Sequence, residues 1–186
     1  MICIIRSQAR DGMCLLRSRR DLPTYIHTVL NMSFLGFEKN ISYYTVPIAL
    51  VLALLPRNYS GLSGPGAKIF NRQQPRDFVA ALKEADLDEK LRGRLLRAEA
   101  CSANGFEAFP VYAAAVTAGN SAGVSATTMN LLSIGWVASR VLYNYVYIWY
   151  QEKETLAFGE VPMRFKVWSI GATICLSMFV LAGRNM

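Results

Sequence analysis

Apolar residues in this chain collect into blocks rather than into the one-sided stripes of amphipathic helices. Four blocks stand out: Ile41–Leu55, Ala108–Ala118, Thr127–Tyr150 and Phe165–Ala182. Crossing the hydrocarbon core of a bilayer takes about 20 helical residues. The third and fourth blocks reach that length unaided, and the second does so when the polar stretch back to Arg97 is included. The first is short, with Phe34–Phe37 and Tyr43-Tyr44 available as an interfacial collar. The pattern predicts an all-α membrane protein with four transmembrane helices, over about 38–56, 94–118, 126–150 and 162–183.

Punctuation between the blocks agrees with this. Pro47 is tolerable within a membrane helix, Pro56 is expected to close the first helix, and Pro162 suits the opening turn of the last. The long connection Arg57–Arg92 carries turn chemistry at Gly61, Gly64, Pro65 and Gly66. Within it, Asp77 can cap a short helix whose narrow apolar face is Phe78, Leu82 and Ala85. A tight uncharged turn, Gly119-Asn120-Ser121-Ala122-Gly123, joins the second and third helices.

Charge sets the orientation. The stretch Arg57–Arg97 holds nine Lys and Arg, Gly119–Ser125 holds none, and Gln151–Lys166 holds Lys153, Arg164 and Lys166. The positive-inside rule places the first and third connections in the cytoplasm and both termini on the lumenal side. This asymmetry accounts for the net charge of +7 without calling for nucleic acid. Residues 1–31 disagree, because Arg6, Arg10, Arg17, Arg19 and Arg20 favour the cytoplasm. They have neither the apolar core nor the cleavage site of a secretory signal. They are read as an extension ahead of a functional start at Met32, so that the domain is 32–186. Cys3, Cys14, Cys101 and Cys175 show neither CxxC spacing nor histidine pairing, which argues against a zinc site or a disulfide framework. The single histidine, His27, lies in the extension, so histidine-based catalysis is not expected.

Ions inside apolar segments carry the functional signal, since a charge at membrane depth costs several kcal/mol and usually faces a bundle interior or a wet cavity. Arg97, Asn104 and Glu107 fall within about 80° on the second helix and climb about 15 Å from its cytoplasmic end. Arg140, Tyr143, Asn144 and Tyr147 share a face of the third helix, and Arg164 and Lys166 open the fourth. Both strings can converge on one cavity open to the cytoplasm. Plainer readings exist for each. Arg97 can snorkel, Glu107 and Arg140 can form a register-fixing ion pair, and Asn104 can bond between helices. The tyrosines can form an aromatic belt, and Arg164 and Lys166 can be topology charges alone.

Arg97, then Asn104-Gly105-Phe106-Glu107 and Pro110, then Arg140 and Tyr147, with Arg164 after Pro162, resemble the membrane-associated proteins in eicosanoid and glutathione metabolism, the MAPEG family. The resemblance runs over about Ser33–Arg184. It implies a four-helix homotrimer in the endoplasmic reticulum or another endomembrane, with glutathione as co-substrate between neighbouring subunits and no metal. It further implies a transferase or peroxidase acting on lipophilic electrophiles or lipid hydroperoxides that enter from the lipid. Arg140 and Arg164 are the implied thiolate partners. Arg97, Asn104, Glu107, Tyr143 and Tyr147 are the implied glutathione contacts. Arginine suits this task because it grips carboxylates bidentately, and nearby positive charge lowers a thiol pKa. The chain departs from the family pattern at Ala100 and Ala103, where cations are common, at Tyr143 and at Phe165. Arg57, Arg72 and Arg94 are the cations left to compensate. The alanines favour a rival, a non-catalytic member that binds lipid or a partner protein. A small channel or transporter is a third, weaker option, since the chain lacks paired broken helices.

Overall fold

The computed structural model describes residues 39–62, 64–154 and 160–186. The chain divides into two units, Met1–Lys39 and Asn40–Met186, and every helix described below belongs to the second. The extension read over 1–31 lies outside the described residues. A 3₁₀ turn, Ser42–Tyr44, leads into α1 (Thr45–Leu62), followed by α2 (Gly64–Ile69), α3 (Phe78–Glu84), α4 (Glu89–Ser121) and α5 (Ala126–Ile148). A second 3₁₀ turn, Tyr150–Glu152, precedes α6 (Met163–Asn185). No strand occurs among the described residues. The 33-residue α4 is central and packs on α1, α5 and α6, while the short α3 lies against it.

The first helix differs from the sequence expectation, because α1 does not stop at Pro56 but continues to Leu62. A proline inside a helix removes one backbone donor and frees the carbonyl four residues earlier, here Leu52. That carbonyl accepts a hydrogen bond from Asn144 Nδ2 of α5 at 2.9 Å. Asn144 Oδ1 in turn accepts from the Cys101 thiol of α4 at 3.2 Å, so one amide binds three helices at the proline. One residue along, Ser102 Oγ of α4 donates to the Ala53 carbonyl at 2.7 Å. Gly105 makes this approach possible, since a Cβ there would lie 2.9 Å from Ala53 Cα. Asn144 is therefore turned toward α1 and away from the face on which periodicity had grouped it with Arg140.

Two shorter elements also differ. The Gly64-Pro65-Gly66 segment, read as a turn, begins α2 instead. Gly64 adopts φ +49°, and Gly66 lies so close to the Ser60 carbonyl that a Cβ would fall 2.0 Å from its oxygen. Asp77 does occupy the N-cap of α3, but its side chain makes no capping bond. Burial holds that helix: Phe78 and Leu82 pack with Leu95 of α4. Ala85, expected on the apolar face, is the extended residue that ends α3. In contrast, the α4–α5 connection is the tight turn expected. Gly123 has φ +72°, and Val124 N–H donates to the Gly119 carbonyl at 3.0 Å.

A core of Tyr112, Val116, Met129, Trp136, Cys175 and Met178 joins α4, α5 and α6. Large apolar residues also cover the outside, including Ile48, Val51 and Leu55 of α1, Leu131 and Leu142 of α5, and Ile170, Leu176 and Val180 of α6. Among the described residues, α6 alone is long and apolar enough to cross a membrane by length and composition, with mean hydropathy 1.7. The other long helices carry interior polar residues, such as Glu99 and Glu107 in α4 and Arg140 and Asn144 in α5.

At the end where α4 begins and α5 finishes, Glu152 gathers three cations of α4. Arg94 donates through Nε and Nη2 at 2.9 and 3.0 Å, Arg97 through Nη2 at 2.9 Å, and Lys90 Nζ lies 3.3 Å away. The hydrogen bonds from Arg94 hold the Glu152 carboxyl down from its ordinary 4.5 to about 2.

Two stability measurements test these joints. Asn144→Leu leaves the Leu52 carbonyl buried without a partner, which costs about 1–3 kcal/mol in unfolding of the detergent-solubilised protein. Adding Pro56→Ala restores a backbone donor and recovers part of that loss; a strictly additive double variant refutes the linkage. For Glu152, the folded pKa is depressed, so its stabilisation is complete above the ordinary carboxylate pKa and fades as pH falls from about 4.5 to about 2. The Tm gap between wild type and Glu152→Gln is therefore expected to be constant from neutral pH down to the ordinary carboxylate range and to shrink below it.

Candidate functional site

Arginine and aromatic residues spaced three and four apart on α5 stand on one side of the helix. Trp136, Arg140, Tyr143 and Tyr147 build a continuous column there, extended at both ends by residues of other helices. The Tyr112 ring of α4 stacks on Trp136 with centroids 3.7 Å apart and planes 7° from parallel. The Arg140 guanidinium lies between the Trp136 and Tyr143 rings, 5.1 and 5.2 Å from their centroids. Tyr143 meets Tyr147 edge-on at 5.4 Å, and the Arg164 guanidinium of α6 caps Tyr147 at 5.2 Å. The hydroxyl of Tyr112 is tied down by Thr45 Oγ1 of α1 and the Ser133 carbonyl of α5.

Arg140 is the most costly member of this column. It is 5% exposed, and its Nε and Nη1 are buried without a hydrogen-bond partner. Desolvating a guanidinium costs several kcal/mol, whereas a desolvated cation–π contact returns on the order of 2 kcal/mol. The two rings offset much of the penalty but leave donors that an anion would satisfy. Gly171 of α6 makes room for the group, because a Cβ there would lie 2.5 Å from Arg140 Nη2 and 3.0 Å from Ser139 Oγ. Glu107 is exposed and forms no ion pair among the described residues, so the register-fixing Glu107–Arg140 bridge is not what holds these helices. The Asn104 side-chain oxygen is buried and unpartnered beside them.

Two recesses open on the column. The larger, about 340 Å³, lies between α4, α5 and α6. Asn104, Glu107 and Arg140 supply its polar groups, while Val111, Trp136, Trp168, Cys175 and Leu176 line it with apolar surface. The smaller, about 330 Å³, is walled by Tyr143, Tyr147, Arg164, Phe165, Trp168 and Asn104. Asn104 and Trp168 belong to both, so the recesses adjoin. Arg164 Nη1 also donates to Gln151 Oε1 at 3.3 Å, which keeps that guanidinium at the mouth of the smaller recess.

Six of the seven residues singled out in the sequence thus border this pair of recesses: Asn104, Glu107, Arg140, Tyr143, Tyr147 and Arg164. Arg97 does not. Its Nε donates to the Ile148 carbonyl at 3.2 Å and its Nη2 to Glu152, because the turn after α5 brings that carboxylate alongside. Of the three compensating cations, two are similarly engaged, while Arg72 is exposed in the connection between α2 and α3. Arg57 bonds the Pro75 carbonyl at 3.0 Å and lies 3.9 Å from Glu99, and Arg94 is held by Glu152. Trp136, Trp168 and Gly171 were not anticipated. The spacing of Trp136 from Arg140 could have revealed the first. The other two act across helices, where one sequence carries no spacing signal.

Neither a curated protein nor a solved structure gives a match to this chain. A family model does, over residues 41–184, from the turn before α1 into the last turn of α6. That span contains every residue of the column and of both recesses. The chain belongs to the MAPEG family, a family of membrane-associated proteins in eicosanoid and glutathione metabolism.

Proposed function

We propose that this protein is an integral membrane glutathione-dependent transferase or peroxidase acting on lipophilic electrophiles or lipid hydroperoxides. The observation that carries the reading is the buried Arg140 guanidinium, with two unpartnered nitrogens, lining the larger of two adjoining recesses. In this reading α1, α4, α5 and α6 all span an endomembrane, with both termini lumenal. Three copies assemble so that neighbouring subunits complete each site. The exposed apolar faces of the long helices and the open, exposed position of Glu107 support that arrangement.

Glutathione would fill the smaller recess and reach past Asn104 into the larger one, with Tyr147 and Tyr143 hydroxyls at its carboxylates, Asn104 at its peptide groups and Glu107 at its amine. Arg140 or Arg164 would face the sulfur. Fixed positive charge in a dry site favours thiolate over thiol, and the larger recess offers apolar walls to the second substrate. In the transferase reaction the sulfur bonds to the electrophilic carbon while the leaving group departs with its electron pair, or an epoxide opens to an alkoxide that takes up a proton. In the peroxidase reaction the thiolate attacks the terminal oxygen and breaks the O–O bond, and the released alkoxide is protonated to the alcohol. The sulfenic acid that forms reacts with a second glutathione to give disulfide and water.

One observation favours a second reading, the non-catalytic lipid-binding or scaffold member. Ala100 and Ala103 supply no cation, and Arg97, Arg57 and Arg94 are engaged elsewhere. Thermal unfolding of the solubilised protein with millimolar glutathione, followed by a conjugation assay, separates the two. The enzyme reading expects protection and turnover. Both should be lost in Arg140→Ala and Glu107→Gln, with turnover down on the order of 100-fold when Arg140 is removed. Absence of protection in the wild type supports the scaffold. Gly171→Ala offers a subtler test, since its Cβ must displace the Arg140 guanidinium. Turnover should fall at least about tenfold, while Tm of the free protein changes by no more than about 3 °C.

A further inference from the structure

Beyond the glutathione site, cations of α4 converge on the turn that follows α5. Lys90, Arg94 and Arg97 all converge on the single carboxylate of Glu152, and Lys153 follows it in sequence. Three cations of α4 thus share one carboxylate, while Asp88 at the start of the helix accepts the Leu91 backbone N–H. Glu154, the next carboxylate along, is turned away to accept the Met163 backbone N–H at 2.8 Å. Lys90 is mostly solvent-exposed, and Lys153 is exposed with no ion pair among the described residues. A recess of about 460 Å³ opens beside this cluster, lined by Arg94, Glu152 and Lys153 together with Tyr145, Trp149 and Tyr150.

The aromatic side of that recess continues down the outside of α5. Tyr145 and Trp149 stack at 6.0 Å, and both are exposed. From them an exposed apolar stripe, Leu142, Ala138, Ile134 and Leu131, follows the helix at three- and four-residue steps. From Leu131 to Trp149 it covers about 27 Å, close to the thickness of a hydrocarbon core. A ladder of apolar side chains that ends in tyrosine and tryptophan and then in a cluster of cations has the layering of an acyl chain, a glycerol region and an anionic headgroup.

We infer that the recess bounded by Arg94, Glu152, Lys153 and Trp149 binds the headgroup of an anionic phospholipid, whose acyl chain lies along the α5 stripe. The phosphate is held by Lys90, Lys153 and the Arg94 donors not used by Glu152. Glu152 keeps Arg94 and Arg97 extended toward the site and prevents the cations from repelling one another apart. This site is separate from the glutathione recesses; it rests on the reading that α5 crosses the bilayer.

The full-length protein in a neutral detergent provides the test. Tm is measured with phosphatidylserine, with phosphatidylcholine, and with inorganic phosphate, and native mass spectrometry counts retained lipid. Phosphatidylserine at about tenfold excess over its Kd should raise Tm by about 4 °C, with little effect from the other two. Lys90→Ala combined with Lys153→Ala should abolish that shift and the retained lipid, while glutathione protection stays as in wild type. If the pair lowers the basal Tm, Lys153→Ala alone, judged by the phosphatidylserine-to-phosphatidylcholine ratio of retained lipid, decides. Equal stabilisation by phosphatidylcholine, equal stabilisation by inorganic phosphate, or full lipid selectivity in the double variant overturns the proposal. So does a stripe covered by a second copy, seen as a change of oligomeric mass in the double variant without any change in lipid.

Discussion

The buried guanidinium of Arg140 is the constraint around which the rest of the molecule is arranged. A permanently charged group cannot be left dry without partners, and here the protein supplies ring faces in place of a carboxylate. That choice has consequences in every direction. Trp136 must be held flat, which Tyr112 does by stacking on it, and Tyr112 must be anchored through its hydroxyl to α1 and α5. On the far side, α6 must approach without a side chain at 171. Four helices are thus fixed relative to one another by the requirements of one side chain, and two of its nitrogens still lack a partner.

A second constraint lies where α4 and α5 meet α1. Pro56 would normally weaken or end α1, and a freed carbonyl in an apolar setting costs more than one at a wet surface. The repair comes from another helix, through Asn144, and requires α1, α4 and α5 to stand close together. Gly105 and Ser102 serve the same approach. Polar residues in α5 are therefore divided between two tasks. Asn144 completes the backbone of α1, while Arg140, Tyr143 and Tyr147 face the recesses shared with α4 and α6. The proposed chemistry depends on this division, since it leaves the recess cations unneutralised by protein groups.

The cations of the α4 entrance follow a different logic. Near water, where screening is strong, isolated pairs contribute little, but several cations on one carboxylate fix the geometry of a helix end. Glu152 takes Arg97 out of the recess, and this is the largest change from what the sequence implied about the site. Arg97 and Glu152 are 55 residues apart, and only the turn after α5 brings them together. A helical-wheel argument cannot anticipate such a partner, because it considers each helix alone.

Much of the fold was legible in advance for a simple reason: apolar block length and helical periodicity are local properties. They located α5 and α6 to within two residues, the bodies but not the ends of α1 and α4, the Gly123 turn and the α3 segment with Phe78 and Leu82 inward. The grouping of Arg140, Tyr143 and Tyr147 on one face was legible for the same reason. Where local rules had competing outcomes, they failed. Pro56 and the Gly64–Gly66 segment read as breaks, yet tertiary packing carries helix through the first and begins one at the second. By itself, then, the sequence determined that the chain is built on four long helices, which of their faces carry charge and that the chain belongs among membrane-associated relatives. Tertiary structure alone decided that Arg140 rests between aromatic rings, that Arg97 serves Glu152 and that Gly171 admits the guanidinium. Those outcomes depend on distances between helices, and no spacing along a single helix encodes them.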